Sequence, residues 1–424
     1  MVAITRVAVA ASLLLTGVVA HPGEEHDPQV HKREMALRRS VAANNRRALN
    51  ACAGSAADAA LKQRAIQRRD AKLKELRAKR SIAANAPIRR RTEENLNTWA
   101  AIDHASSAGY TLDTDPATLF AQNASCVVVP ETTIGPYWVA GELIRSEMTD
   151  GQSGVPLHLD VQFVDVATCA GVPEILIDAW HCNATGVYSG VSATGQGGLN
   201  STFGRGVQQT DDDGVVEFDT MFPGHYTGRA THIHVKSTSG ATVLDNDTYV
   251  DGTTNHVGQL FFDQSLISEV EAVTPYSTNQ QELTLNSADS IAFGEATDDY
   301  DPFVQYVLLG DDISQGVLAW ITVGINTTAD YSSSASAAAH YYAGGGVDAS
   351  SGNSGGGPGG AGGPPNGTFP SGAAPSGAGP SGAPPASSVS SAAVSASLYF
   401  RRLQGWLQAQ GQASLSISKC MDAT

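Results

Sequence analysis

The chain has 424 residues, 42% of them hydrophobic and 16% charged, with a formal net charge of −16. The charge is unevenly spread: residues 21–97 hold 18 of the 26 basic side chains, whereas residues 101–400 hold four, Arg145, Arg205, Arg229 and Lys236, against 32 acidic ones. Five cysteines, Cys52, Cys126, Cys169, Cys182 and Cys420, are too few for a disulfide scaffold, and without a CxxC pair they argue against a zinc site.

Residues 1–20 combine Arg6, the apolar run VAVAASLLLTGVVA and small residues ahead of His21, the pattern of a cleaved secretory signal, so a secreted, extracellular protein is expected. The run is shorter than the roughly 20 residues a membrane span needs and no second one follows, so no stable membrane anchor is expected. Six Asn-x-Ser/Thr sequons, at Asn123, Asn183, Asn200, Asn246, Asn326 and Asn366, fit a glycoprotein. Residues 21–97 favour helix in LKQRAIQRRDAKLKELRAKR, with a thin apolar stripe and many charge pairs. They read as a helical pro-segment or an extension attracted to the acidic domain that follows. Lys79-Arg80 and Arg89-Arg90-Arg91 resemble dibasic processing sites. A nucleic-acid arm is the competing reading, disfavoured by the secretion signal and by the lack of interleaved aromatic residues, so no nucleic acid is expected as partner.

From 101 to 323 the chain reads as an all-β domain, a β-sandwich. PLHLDVQFVD alternates apolar and polar residues, and ILIDAW, GVVEFDTM, RATHIHVKS and QLFFDQ are short strand-like runs separated by Gly, Pro, Asn and Asp clusters. Cys169 and Cys182, flanking the turn CAGVP, are expected to form a disulfide, with Cys52 to Cys126 as a second pair and Cys420 left over. Asp211-Asp212-Asp213-Gly214 and DDYDP (298–302) lack the twelve-residue spacing of a calcium loop and read as turns. Residues 332–394 are Gly, Ser, Ala and Pro-rich, too poor in apolar surface to offset chain entropy, and are expected to be a disordered linker. In the C-terminal tail, 395–424, SLYFRRLQGWLQAQ fits a short amphipathic helix, and the polar end GQASLSISKCMDAT argues against a lipid-anchor signal. Oligomeric state is not legible.

Chemistry concentrates in one 47-residue stretch: Tyr188 in GVYSG, then Tyr226, Arg229, His232 and His234 in PGHYTGRATHIH. On a strand, residues i and i+2 share a face, so both imidazoles of His232-Ile233-His234 can reach one metal. His-x-His alone also occurs at zinc and copper sites. Two phenols beside it point to a hard trivalent ion, because such a charge holds phenol deprotonated well below its free pKa of about 10. Tyr137 in GPYW reads as pocket wall or packing, while His181 and His225 fall on the opposite face from their inward neighbours. His158 and His256 have no spacing argument.

The segments ETTIGPYWVAGELIR (131–145), GVPLHLDVQFVDVATCAGVPEILIDAWHCNATGVYSG (154–190), TDDDGVVEFDTMFPGHYTGRATHIHVK (210–236) and HVGQLFF (256–262) resemble the catalytic domain of intradiol ring-cleavage dioxygenases, above all the secreted fungal members. The resemblance implies one non-haem Fe(III) held by Tyr188, Tyr226, His232 and His234, with Arg229 and Gln259 beside it. It implies small aromatic diols and O2 as substrates, cleaved between the hydroxylated carbons to muconate-type diacids. Tyr226 would leave the iron and take a catechol proton, and Arg229 would stabilise the electron-rich ring. Two readings compete: a secreted iron-binding β-sandwich without turnover, and copper or zinc in the same ligands, the latter disfavoured by the tyrosine pair.

Overall fold

The computed structural model describes residues 40–41, 43–90, 109–120, 134–289, 291–292, 302–342 and 345–349. Of the two units into which the chain divides, these belong to Met1–Gly356; the other, Gly357–Thr424, lies outside the described residues, as do the signal, most of the linker and the tail. The protein is mostly sheet with few helices. In chain order the strands are β1 (Val139–Ala140), β2 (Pro156–Asp165), β3 (Leu176–Trp180), β4 (Arg205–Gln209), β5 (Val215–Met221), β6 (His232–Ser239), β7 (Thr242–Val243), β8 (Tyr249–Val250), β9 (Thr253–Phe261), β10 (Gln305–Leu308), β11 (Val317–Ile325), β12 (Ala339–Tyr342) and β13 (Gly345–Asp348).

Two four-stranded sheets dominate, ordered β10-β11-β2-β5 and β4-β3-β6-β9. Within them only β11 and β2 run parallel. One core is shared by both: Leu157, Leu159, Val161 and Phe163 from β2 and Val317, Ala319 and Ile321 from β11 pack in the same cluster as Ile177 of β3, Ile233 and Val235 of β6 and Leu260 of β9. The two-residue period then fixes the rest of β6. With Ile233 and Val235 in the core, His232, His234 and Lys236 lie on the other face, and so does Gln259, the β9 partner of His234.

The outward residues of β2 are not solvated. His158, Asp160 and Gln162 are buried because a long basic helix, Ala56–Lys79, covers them. Ser55 caps this helix by accepting from the Asp58 amide, and Lys62 with Asp58, Lys74 with Asp70 and Lys79 with Glu75 form ion pairs four residues apart along it. Its buried stripe is Leu61, Ala65, Arg69, Leu73 and Leu76, with an arginine where a leucine would be ordinary. Asp160 explains the arginine, accepting from Arg69 at 3.1 and 3.2 Å and from Arg68 at 2.8 and 3.1 Å. The second arginine-rich stretch is also built in, since Arg89 pairs with Glu269 at 2.5 Å and Arg90 bridges to Val307.

The disulfide differs from expectation. Cys169 bonds Cys52, with Cα atoms 5.8 Å apart, and Cys182 is a buried free thiol. Cys169 precedes β3 and Cys182 follows it, so a strand of about 16 Å separates them where a bridge needs Cα atoms about 4.4–6.8 Å apart. Cys126 and Cys420 lie outside the described residues. Regular structure also continues beyond 332, into the linker assigned from composition, because β12 pairs in parallel with β1 and turns back as β13. Among the described residues no helix is long and apolar enough to cross a membrane.

Candidate metal centre

The centre lies on the outer face of the β4-β3-β6-β9 sheet, where β6 presents His232 and His234 side by side. His232 donates from Nδ1 to the Ala230 carbonyl at 2.6 Å, which leaves the lone pair on Nε2. His234 is held by stacking on Trp180, its β3 partner in the ladder, with ring centroids 4.7 Å apart and planes within 4°. The two Nε2 atoms are 3.1 Å apart, and the Tyr226 hydroxyl is 3.3 Å from that of His232.

Two loops bring in the tyrosines. Tyr188 sits between β3 and β4, its amide donating to the Gln196 side chain at 2.6 Å and its carbonyl accepting from the Gly197 amide at 2.7 Å. Arg205, at the start of β4, clamps the next residue through the Ser189 carbonyl and hydroxyl. Tyr226 sits in the tight turn before β6, where the Arg229 amide donates to the Tyr226 carbonyl. The glycines of GVYSG and PGHY make the approach of these loops feasible: a Cβ on Gly186 would lie 2.2 Å from the His225 carbonyl oxygen, and one on Gly224 would lie 2.4 Å from that of Ala184. Tyr188 and Tyr226 then meet edge-on at 5.7 Å, and Tyr137 tilts against Tyr188 at 5.1 Å.

All four donors are buried. Burial and the neighbouring Tyr226 phenol push Tyr188 well above the ordinary phenol range, and burial pushes Tyr226 up against the opposing pull of Arg229. As a purely protein arrangement the cluster is costly, since the buried Tyr188 hydroxyl is left with the Tyr226 phenol as a weak partner and two imidazole nitrogens face each other. A cation removes both costs. Metal–nitrogen bonds of about 2.0–2.1 Å place adjacent ligand nitrogens about 3 Å apart, the spacing found here, and a hard ion converts the neutral phenols into anionic oxygen ligands. The donor set therefore fits a trivalent iron. Among the described residues no three His, Cys, Asp or Glu side chains cluster as metal ligands; the two phenols are what complete this set.

Arg229 and Gln259 adjoin the ligands. Arg229 donates from Nη2 to Gln259 Oε1 at 2.5 Å and from Nε to Asp289 Oδ2 at 2.8 Å, with all three side chains buried. Burial opposes its charge, but Tyr226 and Asp289 outweigh that and raise its pKa. Three other histidines are committed elsewhere: His181 to Thr220 and the Cys182 carbonyl, His225 to Glu271 and the Gln281 carbonyl, His158 to Asp219. Asp211 closes its own turn and Asp213 pairs with Arg64. Two residues that sequence reasoning passed over belong here, Trp180 beneath His234 and Asp289 behind Arg229. The first had a signal in strand alternation through ILIDAW; the second, in LNSADS, had none.

Residues 135–244 match a protein-family model described as "Dioxygenase". That stretch contains Tyr188, Tyr226, Arg229, His232 and His234 and stops before Gln259 and Asp289. No curated protein matches the chain. Among solved structures, an intradiol ring-cleavage dioxygenase from Tetranychus urticae is 25% identical over 48% of this chain and 97% of its own, with a TM-score of 0.40. The dioxygenase domain of a carbohydrate-binding fusion from a Streptomyces species is 21% identical over 46% and 97%, with a TM-score of 0.31. Catechol 1,2-dioxygenase from an Acinetobacter species is 20% identical over 47% and 63%, with a TM-score of 0.32. Through residues 135–244, the stretch that carries the tyrosines and histidines of this centre, the chain matches the dioxygenase family model.

Proposed function

We infer that the protein is a secreted, non-haem iron(III) intradiol dioxygenase on a β-sandwich, taking a catechol-type diol and O2 to a muconate-type diacid. The observation that carries this reading is the convergence of the buried Tyr188 and Tyr226 phenols with the facing Nε2 atoms of His232 and His234. The core shared by two sheets supports the sandwich, and the Cys52–Cys169 disulfide suits the oxidising compartment that secretion implies.

Tyr188, Tyr226, His232 and His234 would hold the iron, which would supply a Lewis acid that stabilises the diol as its deprotonated catecholate, the form whose ring is electron-rich toward O2. The remaining work falls to the chain. Ala230 and Trp180 keep the two imidazoles in the orientation and, for His232, the tautomer that ligation needs. Tyr226, in the turn that also carries Arg229, would be a tyrosinate with the metal bound, and in that form is the candidate to take a diol proton. Arg229, rigid between Gln259 and Asp289, offers a fixed guanidinium to negative charge that develops on the ring. Both atoms of O2 enter the product and the ring bond between the hydroxylated carbons breaks, so no reductant is required.

Metal analysis and a visible spectrum of the secreted protein, followed by anaerobic addition of catechol and then O2, test the reading. The expected result is about one iron per chain, a tyrosinate charge-transfer band that shifts with catechol, and a ring-opened diacid after O2. An iron-loaded protein inert to a panel of catechols would instead support the binding-module reading, and a protein that takes zinc or copper in place of iron would overturn the assignment of the site.

A further inference from the structure

Each of the four basic side chains in residues 101–400 has an acidic side chain within 4 Å. Arg145 reaches Asp150 at 2.6 and 3.0 Å on the surface. The other three are buried: Arg205 lies 3.7 Å from Glu142, Lys236 lies 3.6 Å from Asp178, and Arg229 bonds Asp289 at 2.8 Å. Arg229 is the one beside the metal ligands, and its acid is the most firmly held. Asp289 Oδ2 accepts from Arg229 Nε and from the Ala230 amide at 2.6 Å, while Oδ1 accepts from the amides of Ile291 and Ala292 at 2.8 and 3.0 Å.

We propose that Asp289 is the positioning residue that sets which substrate charge this site accepts, restricting it to catechols without an anionic substituent. The proposal rests on the dioxygenase reading. A buried guanidinium with no acid beside it would present a full positive charge in a weakly screening interior and would reward an incoming carboxylate strongly. Paired with Asp289, it presents only a dipole. A benzoate-type substrate would then have to shed its water at an Arg229–Asp289 wall that adds no net positive charge to that of the metal, in a stretch, residues 101–400, with 32 acids and four bases. A neutral diol pays no such cost and still meets the guanidinium edge. Four hydrogen bonds hold Asp289, two of them to backbone amides beyond Arg229 and Ala230, so the carboxylate cannot swing away to expose the charge. The product diacid, doubly charged, is disfavoured in the same way, which favours its release.

The test compares kcat/KM for catechol and for 3,4-dihydroxybenzoate in the iron-loaded full chain and in Asp289→Asn, which keeps the shape and removes the charge. The wild type should prefer catechol, and the variant should shift the ratio toward the benzoate by about tenfold or more, chiefly through KM. A merely structural role would lower both substrates in proportion and leave the ratio unmoved, and that outcome overturns the proposal. Should the variant fail to fold, the wild type decides through inhibitors: phenol should compete with catechol and benzoate should not, and equal inhibition by both overturns it. A wild type that cleaves neither diol fails at the earlier step, removing the dioxygenase reading and this inference with it, whereas an active wild type with an unmoved ratio removes this inference alone.

Discussion

At the scale of single residues, the centre is a place where folding and ligation want different side chains. Tyr188 buries a hydroxyl that is left with the Tyr226 phenol as a weak partner. Tyr188→Phe should therefore leave the metal-free protein as stable as before or up to about 1 kcal/mol more so, while weakening iron retention and shifting the visible band. Urea unfolding of the metal-free forms checks the first half, and a loss of stability on removing the hydroxyl would show that its contact with Tyr226 is a full hydrogen bond. A second residue makes stability depend on pH. Burial pushes the Glu142 carboxyl from 4.5 up to about 7, against the opposing pull of Arg205 and Arg145. Once folded, Glu142 keeps a proton that the unfolded chain has already lost above its ordinary pKa. Its contribution is thus complete below 4.5 and is lost as pH rises through about 7. Between about pH 5 and about pH 8 this amounts to a loss on the order of 3 kcal/mol, and Glu142→Gln should flatten that decline in thermal melts. The convergence of Tyr188, Tyr226, His232 and His234 was legible in the sequence because a two-residue period and two short motifs carry them. Asp289 was not, because its role depends on a loop returning 60 residues after Arg229 to meet it, and nothing local marks that return.

At the scale of elements, strand alternation was read correctly and its environment was not. PLHLDVQFVD does form β2, yet its polar half is as buried as its apolar half. The missing information was the partner: a helix whose apolar stripe looks thin because one of its buried positions is Arg69, matched to Asp160 on the strand. Neither pattern identifies the other alone, since a buried ion pair has no periodic signature in either segment. The cysteines misled for a related reason, because sequence proximity across a turn favoured Cys182 while β3 carries it away from Cys169. The helix contact is testable as an element. Burial works against the Asp160 charge, and Arg69 and Arg68 outweigh it to hold the carboxyl below its usual range. Asp160→Asn strands a buried guanidinium and should cost about 3–5 kcal/mol, read as a lower urea midpoint with an unchanged slope. An Arg69→Met, Asp160→Leu double variant should recover most of that loss, because the fully buried pair goes together and the remaining Arg68, 19% exposed, keeps Asp211 and Glu217 as neighbouring acids. If the double variant is no better than the single, the pair itself is a net source of stability.

At the scale of the whole molecule, the basic extension packs as a layer on the β10-β11-β2-β5 sheet. Leu73 and Leu76 of the long helix share a cluster with Val307, Leu318 and Trp320, so stripping the helix would bare the outer face of the β10-β11-β2-β5 sheet. It would also leave Asp160 without a cation and Cys169 without its bridge. A chain beginning at Ser81 should accordingly aggregate or fail to accumulate. Cutting the folded protein after Arg80 is a different event. That site ends the helix, with the Lys79 side chain 66% exposed, and the severed helix stays tied to the domain by Cys52–Cys169. The cut protein should run as one band without reductant and as two with it. Reduction alone should not free the helix under native conditions, because the contacts beneath it are of two kinds. Exposed pairs such as Arg64 with Asp213 weaken as the screening length falls to about 3 Å near 1 M salt. The Asp160 pairs and the leucine cluster are buried, and salt reaches them little. Gel filtration of cut, reduced protein in about 1 M salt should still give a single complex. Release of the helix there would mean that surface charge holds it, and that the basic segment is a detachable pro-segment after all.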